Sequence, residues 1–204
     1  MKRKIKGIIF DLGNVLIDFD HNIASKRICA CSEKTIPEIY QFFFDSPLTG
    51  MFEEGKISEQ DFFSEVKKAL GLNIGYEQFL PIWNEIFFLS ENNRRVYSLA
   101  KSLREKYRII ILSNINVLHY SFLKNNFSVF DAFNDVVTSF EQGSRKPDEL
   151  IYKTALYKLD AHPEEVFYTD DRQDLIAAAQ KLGIHSFVFQ GPEKLEKDLE
   201  IALS

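Results

Sequence analysis

Short apolar segments alternate with helical segments over much of the chain, and this alternation restricts the possible folds more than any other feature. Apolar segments occur at residues 5–10, 108–112, 166–169 and 186–189, with a weaker one at 135–140. Segments with apolar residues at the helical spacing i, i+3, i+4, i+7 lie between the later ones, at residues 92–107, 150–159 and 173–182. Strands joined by helices run parallel and are covered on both faces. The sequence therefore predicts an α/β fold with a doubly wound parallel sheet.

The stretch between residues 17 and 90 does not follow this alternation. We expect no strand there for some 90 residues after the first one, but helices at about 22–31, 35–45, 58–70 and 76–88. Ser58 is a favourable N-cap, and Gly71 is placed to end the helix that follows it. The prediction is an α/β core formed by residues 1–16 and 91–204, with an all-helical domain inserted at residues 17–90.

Composition excludes several classes of function. The chain has 204 residues, 45% of them hydrophobic, which is enough for a full core, and a net charge of −5 argues against a nucleic-acid partner. No apolar segment approaches 18 residues, and the apolar run near the N-terminus is too short for a signal peptide. The spacing of Cys29 and Cys31 matches no zinc or redox motif, so we expect two reduced thiols. We therefore expect a cytoplasmic protein with no membrane partner.

Polar side chains stand where the predicted strands end. Asp11 follows the first strand, Ser113 and Asn114 follow the strand at 108–112, and Asp170 and Asp171 follow the strand at 166–169. Ligands of open α/β sheets bind outside the carboxyl ends of the strands, so these groups should meet at one edge. Another polar group, Lys146, precedes the helix predicted at 150–159.

This set of groups is suited to phosphate chemistry. Carboxylates bind Mg²⁺, ammonium, hydroxyl and amide groups neutralise phosphoryl oxygens, and one carboxylate can attack phosphorus to form an aspartyl-phosphate. Each residue alone also fits a turn or a helix cap, but the ordered set is harder to explain in that way. The sequence has no serine-hydrolase, P-loop or dinucleotide-binding motif, and its histidines have no metal-binding spacing.

These segments resemble the four ordered motifs of the haloacid dehalogenase-like hydrolase superfamily. The matching segments are Phe10-Asp11-Leu12-Gly13-Asn14-Val15, Leu112-Ser113-Asn114, Arg145-Lys146-Pro147 and Thr169-Asp170-Asp171. The helical insertion is similar to the C1 cap of that superfamily, and the resemblance extends over essentially the whole chain. The opening motif and the stretch 50–58 are most similar to the bacterial sugar-phosphatase branch, which includes α-D-glucose 1-phosphate phosphatase.

The resemblance implies a role for each residue. Asp11 would be the nucleophile and a Mg²⁺ ligand, and Lys146 would bridge it to the phosphate. Ser113 and Asn114 would bind the phosphoryl group. Asp171 would be the main acidic metal ligand of the fourth motif, and Asp170 would be an auxiliary ligand or would orient the metal-bound waters. The implied protein is a Mg²⁺-dependent phosphatase of a small phosphorylated metabolite such as a sugar phosphate.

One position departs from the superfamily pattern. Gly13 stands where a second aspartate commonly serves as general acid and base. Its backbone carbonyl can still be a metal ligand, but proton transfer would have to come from elsewhere, with Asp18, Asp20 and His21 as candidates. A positive φ at Gly13 would add strain to any replacement. Two alternatives stay open: a non-catalytic or feeble phosphate-binding homologue, and a 2-haloacid dehalogenase, which would not need the metal.

Overall fold

The computed structural model describes residues 4–204, and its centre is a five-stranded sheet in which every neighbouring pair is parallel. The order across the sheet is β5-β4-β1-β6-β7. In chain order the strands of the protein are β1 (Gly7–Phe10), β2 (Asp18–Phe19), β3 (Phe87–Phe88), β4 (Arg108–Ser113), β5 (Asp135–Thr138), β6 (Val166–Asp170) and β7 (His185–Val188). The predicted parallel sheet is confirmed, including its weaker strand β5. Residues 1–3 of the predicted core segment lie outside the described residues.

Helices cover both faces of this sheet. The helices are α1 (His21–Cys29), α2 (Ile36–Asp45), α3 (Pro47–Glu53), α4 (Glu59–Leu70), α5 (Tyr76–Asn84), α6 (Glu91–Leu103), α7 (Val117–Asn126), α8 (Ser139–Gln142), α9 (Glu149–Leu159), α10 (Gln173–Lys181) and α11 (Pro192–Leu203). Residues of α6, α7 and α11 pack with Ile8 and Phe10 on one face of β1, and residues of α9 and α10 pack with Ile9 on the other. The sheet is therefore doubly wound, because successive side chains of a strand point to opposite faces.

The inserted segment has its own hydrophobic core. Aromatic side chains dominate this core, and those almost completely buried are Phe43, Phe52, Phe62, Phe79 and Trp83. The predicted cap at Ser58 is present, since its hydroxyl accepts from the backbone of Asp61, and Gly71 ends α4 with a φ of 62°. These start and stop signals explain why the helix at 58–70 was predicted to within a residue.

The expectation that no strand follows β1 before residue 108 was wrong. Asp18–Phe19 and Phe87–Phe88 form a two-stranded antiparallel ribbon where the chain enters and leaves the inserted segment. The helix expected at 76–88 accordingly ends at Asn84, and α3 lies in a stretch where no helix was predicted. A strand of two residues is too short to show a period, so only pairing across nearly 70 residues of sequence defines it.

Candidate active site

The polar residues predicted at the strand ends do meet at one edge of the sheet. Asp11 directly follows β1, Ser113 ends β4 and Asp170 ends β6. β4 and β6 flank β1 in the sheet, so their carboxyl ends are adjacent. Carboxylate oxygens of Asp11, Asp170 and Asp171 all lie within 4.8 Å of one another. Adjacent parallel strands thus bring together residues separated by about 160 positions in the sequence.

Lys146 is buried at the centre of this edge, and all three N–H groups of its ammonium donate hydrogen bonds. Nζ donates to Asp11 Oδ1 at 2.7 Å, to Asp170 Oδ2 at 2.6 Å and to the carbonyl of Leu112 at 3.1 Å. Its side chain is 1% exposed. Burial opposes the charged form, but Asp11 and Asp170 raise the pKa of Lys146 above its ordinary value, so it remains a cation.

Both carboxylate oxygens of Asp170 already accept hydrogen bonds. Oδ2 accepts from Lys146 and from the buried hydroxyl of Tyr168, and Oδ1 accepts from the backbone N–H of Arg172 at 2.9 Å. Burial opposes ionisation of this carboxyl, yet the Lys146 cation and these hydrogen bonds hold its pKa below the ordinary value. Asp170 is therefore an ionised carboxylate that orients Lys146.

Asp171 is oriented differently and is half-buried. Its Oδ2 accepts from Asn14 Nδ2 at 2.9 Å, and no other residue among 4–204 donates a hydrogen bond to this carboxylate. Asn14 reaches it from a left-handed backbone conformation with a φ of 55°, which asparagine tolerates better than most residues. Burial raises the pKa of Asp171. This carboxylate thus presents a free oxygen beside Asp11.

The charge of the group fits a divalent cation. Burial, followed by the charge of Asp170, raises the pKa of Asp11 to about 7 against the opposing effect of Lys146. One ammonium beside three carboxylates leaves an excess of negative charge in a site of low exposure. Oxygen ligands without other partners are what Mg²⁺ prefers. The residues present therefore fit the expected metal ion.

Gly13 does not have a positive φ, so the strain that such a backbone angle would add to a replacement does not arise. The obstacle to a side chain is steric instead, because a Cβ at Gly13 would lie 2.8 Å from Cε1 of Phe19. Phe19 belongs to β2, at the entry to the inserted segment. The carbonyl oxygen of Gly13 accepts no hydrogen bond from the described residues, so it stays available as a neutral ligand.

The two polar residues that end β4 have different surroundings. Ser113 is buried, and its hydroxyl makes no hydrogen bond within the described part of the chain. The Asn114 side chain instead pairs with the backbone of Lys146, since Nδ2 donates to its carbonyl at 2.9 Å and Oδ1 accepts from its N–H at 2.8 Å. The Asn114 amide thus fixes the loop that carries Lys146, and its contact with a phosphoryl group stays a prediction.

Asp18, Asp20 and His21 do not belong to the carboxylate group. Asp18 accepts from Asn93 Nδ2 at 3.1 Å, and Asp20 caps α1 by accepting from the backbone of Asn22. His21 packs edge-on against Phe19, with 5.2 Å between ring centroids, and burial lowers its pKa. The two aspartates therefore have structural roles, while His21 lies against the ring that faces Gly13.

The inserted segment reaches the same edge of the core through α3. Glu53 accepts from Arg145 Nη1 at 3.1 Å, and its backbone carbonyl accepts from Ser139 at 2.6 Å. Arg145 is the sequence neighbour of Lys146, and the charge of Arg172 also acts on Glu53. The segment therefore closes over the loop that holds Lys146.

Sequence reasoning missed Asn14, Tyr168 and Glu53 as neighbours of this site. Asn14 and Tyr168 each lie within a few residues of a predicted aspartate, but a buried tyrosine in a strand is usually only core. Glu53 lies in the stretch 50–58 that supported the resemblance, without any sign that it would pair with Arg145. Only the packing of the inserted segment on the sheet edge brings that pair together.

Among residues 4–204, no helix has the length and apolar character needed to span a bilayer.

Named relatives of this chain include two phosphatases. D-ribitol-5-phosphate phosphatase of Bacteroides thetaiotaomicron is 24% identical over 98% of this chain and 99% of its own length. A sesquiterpene phosphatase of Aspergillus oryzae is 24% identical over 88% of this chain and 87% of its own length. Both alignments extend over nearly the whole chain, so they include the sheet and the inserted segment alike.

A solved structure and a family model agree with this relationship. A haloacid dehalogenase family enzyme from Bacteroides thetaiotaomicron, in complex with magnesium and inorganic phosphate, is 27% identical, with a TM-score of 0.79 over 90% of this chain and 93% of that one. The model of haloacid dehalogenase-like hydrolases matches residues 5–183, a range that contains all four motif segments and the inserted helices. The chain therefore belongs to the haloacid dehalogenase-like hydrolase family.

Proposed function

We propose that this protein is a Mg²⁺-dependent phosphatase that hydrolyses a small phosphorylated metabolite, such as a sugar or sugar-alcohol phosphate, through an aspartyl-phosphate. The observation that supports it most is the buried Lys146 ammonium, which binds Asp11 and Asp170 at the carboxyl edge of the sheet. A carboxylate fixed in this way is placed to attack phosphorus. The named phosphatase relatives favour the same chemistry.

Asp11 acts as the nucleophile in the first step. Lys146 holds Oδ1, while Oδ2 makes no hydrogen bond to a described residue and is the oxygen that attacks phosphorus. An O–P bond forms at Asp11 as the bond from phosphorus to the leaving oxygen breaks, and the leaving oxygen takes a proton from solvent. A water molecule then attacks phosphorus and releases a proton to solvent, the acyl phosphate bond breaks, and phosphate leaves with the Asp11 carboxylate restored.

Lys146 and Ser113 stabilise the phosphoryl group during both steps. The ammonium faces the nucleophile, and the unpartnered Ser113 hydroxyl donates to a phosphoryl oxygen. We assign the Asn114 contact to its backbone N–H, since its side chain is committed to Lys146. Donors fixed before the reaction stabilise developing charge without reorganising during it.

Asp11, Asp171 and the Gly13 carbonyl would hold the Mg²⁺. When bound, the ion neutralises phosphoryl oxygens and aligns phosphate with the nucleophile. Asp170, whose oxygens accept three hydrogen bonds, is proposed to orient Lys146 and to leave direct ligation of the metal to Asp11 and Asp171. This assignment refines the auxiliary metal role that the sequence suggested.

Residues 17–90 form, in this proposal, a C1-type cap domain over the core of residues 1–16 and 91–204. The cap excludes water and selects the leaving group. Closure of α3 over Arg145 supports a small substrate and argues against nucleic acid or a membrane lipid surface. The cytoplasmic location expected from the sequence is part of the same proposal.

The test is phosphate release from a panel of phosphorylated metabolites and from p-nitrophenyl phosphate, with Mg²⁺ and with EDTA. Mg²⁺-dependent release of phosphate is expected, with sugar or sugar-alcohol phosphates among the best substrates. Binding of phosphate without turnover would favour the non-catalytic homologue, which the glycine at position 13 makes worth testing. Halide release from 2-haloacids without metal would favour the dehalogenase.

A further inference from the structure

We propose that Tyr168 is a positioning residue for this reaction, because its hydroxyl fixes Asp170 and, through it, the ammonium of Lys146 on the nucleophile. The inference rests on the proposed phosphatase function and extends it beyond the four sequence motifs. The Tyr168 hydroxyl donates to Asp170 and makes no hydrogen bond to Asp11. It acts through one carboxylate oxygen.

The position of Tyr168 on β6 makes this contact possible. Residues two apart in a strand point to the same face, so the side chains of Tyr168 and Asp170 lie side by side. The hydroxyl of Tyr168 donates to Asp170 Oδ2, the same oxygen that accepts from Lys146. The Lys146 ammonium lies 5.8 Å from the centroid of the Tyr168 ring, so the ring also packs beside the ammonium group.

The hydrogen bonds of Lys146 and Asp170 leave few alternative arrangements for these two side chains. Lys146 has three N–H donors, and each already has an acceptor in Asp11, Asp170 or Leu112. Oδ1 of Asp170 is held by the backbone of Arg172. Without the Tyr168 hydroxyl, Oδ2 loses one of its two donors in a place where both Tyr168 and Asp170 are completely buried. A lost hydrogen bond to a buried charged acceptor is costly, so Asp170 and Lys146 should shift to compensate.

Tyr152 provides a matched control for a general loss of core packing. It is as fully buried as Tyr168, and the two rings contact each other with centroids 5.9 Å apart. Its hydroxyl donates to the backbone carbonyl of Leu175 at 3.0 Å and not to a carboxylate of the site. The Tyr152 hydroxyl also interacts with the Tyr168 side chain. Tyr152→Phe nevertheless removes the same atom from the same core without removing a direct hydrogen bond to Lys146 or to a carboxylate of the site.

The experiment compares Tyr168→Phe and Tyr152→Phe with the wild type in steady-state hydrolysis of p-nitrophenyl phosphate at saturating Mg²⁺. For Tyr168→Phe we expect kcat to fall about tenfold with KM changed less than about twofold, because the lost bond serves the reacting geometry. For Tyr152→Phe we expect kcat within about twofold of wild type. Urea unfolding of both variants shows whether each is folded and how much stability each has lost.

A second measurement does not depend on turnover. The buried ammonium of Lys146 should give a protected ¹⁵N resonance that disappears in Lys146→Met and that shifts further in Tyr168→Phe than in Tyr152→Phe. Equal kcat losses in the two tyrosine variants, or an unshifted resonance and unchanged kcat in Tyr168→Phe, would overturn the positioning role. Failure of the wild type to release p-nitrophenol at all contradicts the proposed function instead, and the resonance still tests the contact.

Discussion

Phe19 occupies the space that a side chain at position 13 would need, since a Cβ on Gly13 would lie 2.8 Å from its ring. The ring is held by edge-on contacts to His21 at 5.2 Å and to Phe87 at 6.1 Å between centroids. Where the superfamily commonly has an aspartate side chain, this protein has the Phe19 ring. Phe19 belongs to the two-stranded ribbon through which the chain enters and leaves the inserted segment.

Gly13→Asp is expected to lower activity, because the new side chain must displace Phe19 before it can reach the leaving oxygen. Phe19→Ala makes room, so the double variant Gly13→Asp/Phe19→Ala should recover activity relative to Gly13→Asp alone. Phe19→Ala by itself is the control for loss of the ring. Equal activity of the single and double variants would mean that the ring is not the obstacle.

The wild-type rate should depend steeply on the pKa of the leaving group. A positioned general acid contributes about 10²–10⁴-fold, and position 13 offers none. Aryl phosphates should therefore exceed simple alkyl phosphates in kcat/KM across a graded series. A flat series would show that another side chain donates the proton, and repeating it with His21→Gln would then test the residue that contacts Phe19.

Asp11→Asn should abolish turnover and leave the fold intact. The amide matches the carboxylate in shape but is a far weaker nucleophile, and Lys146 keeps Asp170 as an anionic partner. Activity below about 1% of wild type, with an unchanged circular dichroism spectrum, is the expected result. Residual activity well above that level would remove Asp11 from the nucleophilic role.

Replacing Asp171 and replacing Asp170 should affect the Mg²⁺ dependence of activity differently. Asp171→Asn removes an ionised oxygen that has no other partner, so the Mg²⁺ concentration for half-maximal activity should rise at least tenfold. Asp170→Asn should instead lower kcat with little change in that concentration, because its oxygens hold Lys146 and the Arg172 backbone. Titration of each EDTA-treated variant with Mg²⁺ measures both quantities. The opposite ranking would make Asp170 the metal ligand.

The free energy of unfolding should fall as the pH is lowered, because His119 is buried in its neutral form. Burial lowers the pKa of His119 to about 3, while its Nε2 contacts the carbonyl of Trp83 at 3.0 Å and thereby joins α7 to α5. The unfolded chain takes up this proton near pH 6.5 and the folded protein does not, so stabilisation present above that pH is lost below it. From pH 7.5 to 5.5 this residue should cost about 1.4 kcal/mol of unfolding free energy.

Urea unfolding at both pH values checks this expectation. His119→Gln should show a smaller loss between the two pH values than the wild type does. The exposed His162, replaced in the same way, should leave the wild-type loss unchanged. Equal losses in the wild type and His119→Gln would contradict the assignment.

The sequence by itself determined the sheet and the edge at which the site lies. Strands buried on both faces are nearly continuous apolar runs, so β1, β4 and β6 are visible in the sequence, and the polar residues that end them mark the carboxyl edge. Lys146 reaches the site from a loop that the Asn114 side chain holds in place, whereas the meeting of Asp11, Asp170 and Asp171 follows from that topology. The same holds for α4, whose cap and terminal glycine are local signals.

Only the tertiary structure decided what each group at that edge does. Asp170 and Asp171 are neighbours in sequence, yet their hydrogen bonds differ. Asp170 accepts from Tyr168 and Lys146, whereas Asp171 accepts from Asn14 through only one of its oxygens. Phe19 faces Gly13 because a ribbon closes between segments nearly 70 residues apart. Hydrogen bonds and steric contacts of this kind depend on distances between residues far apart in the chain, and local periodicity and capping carry no information about those distances.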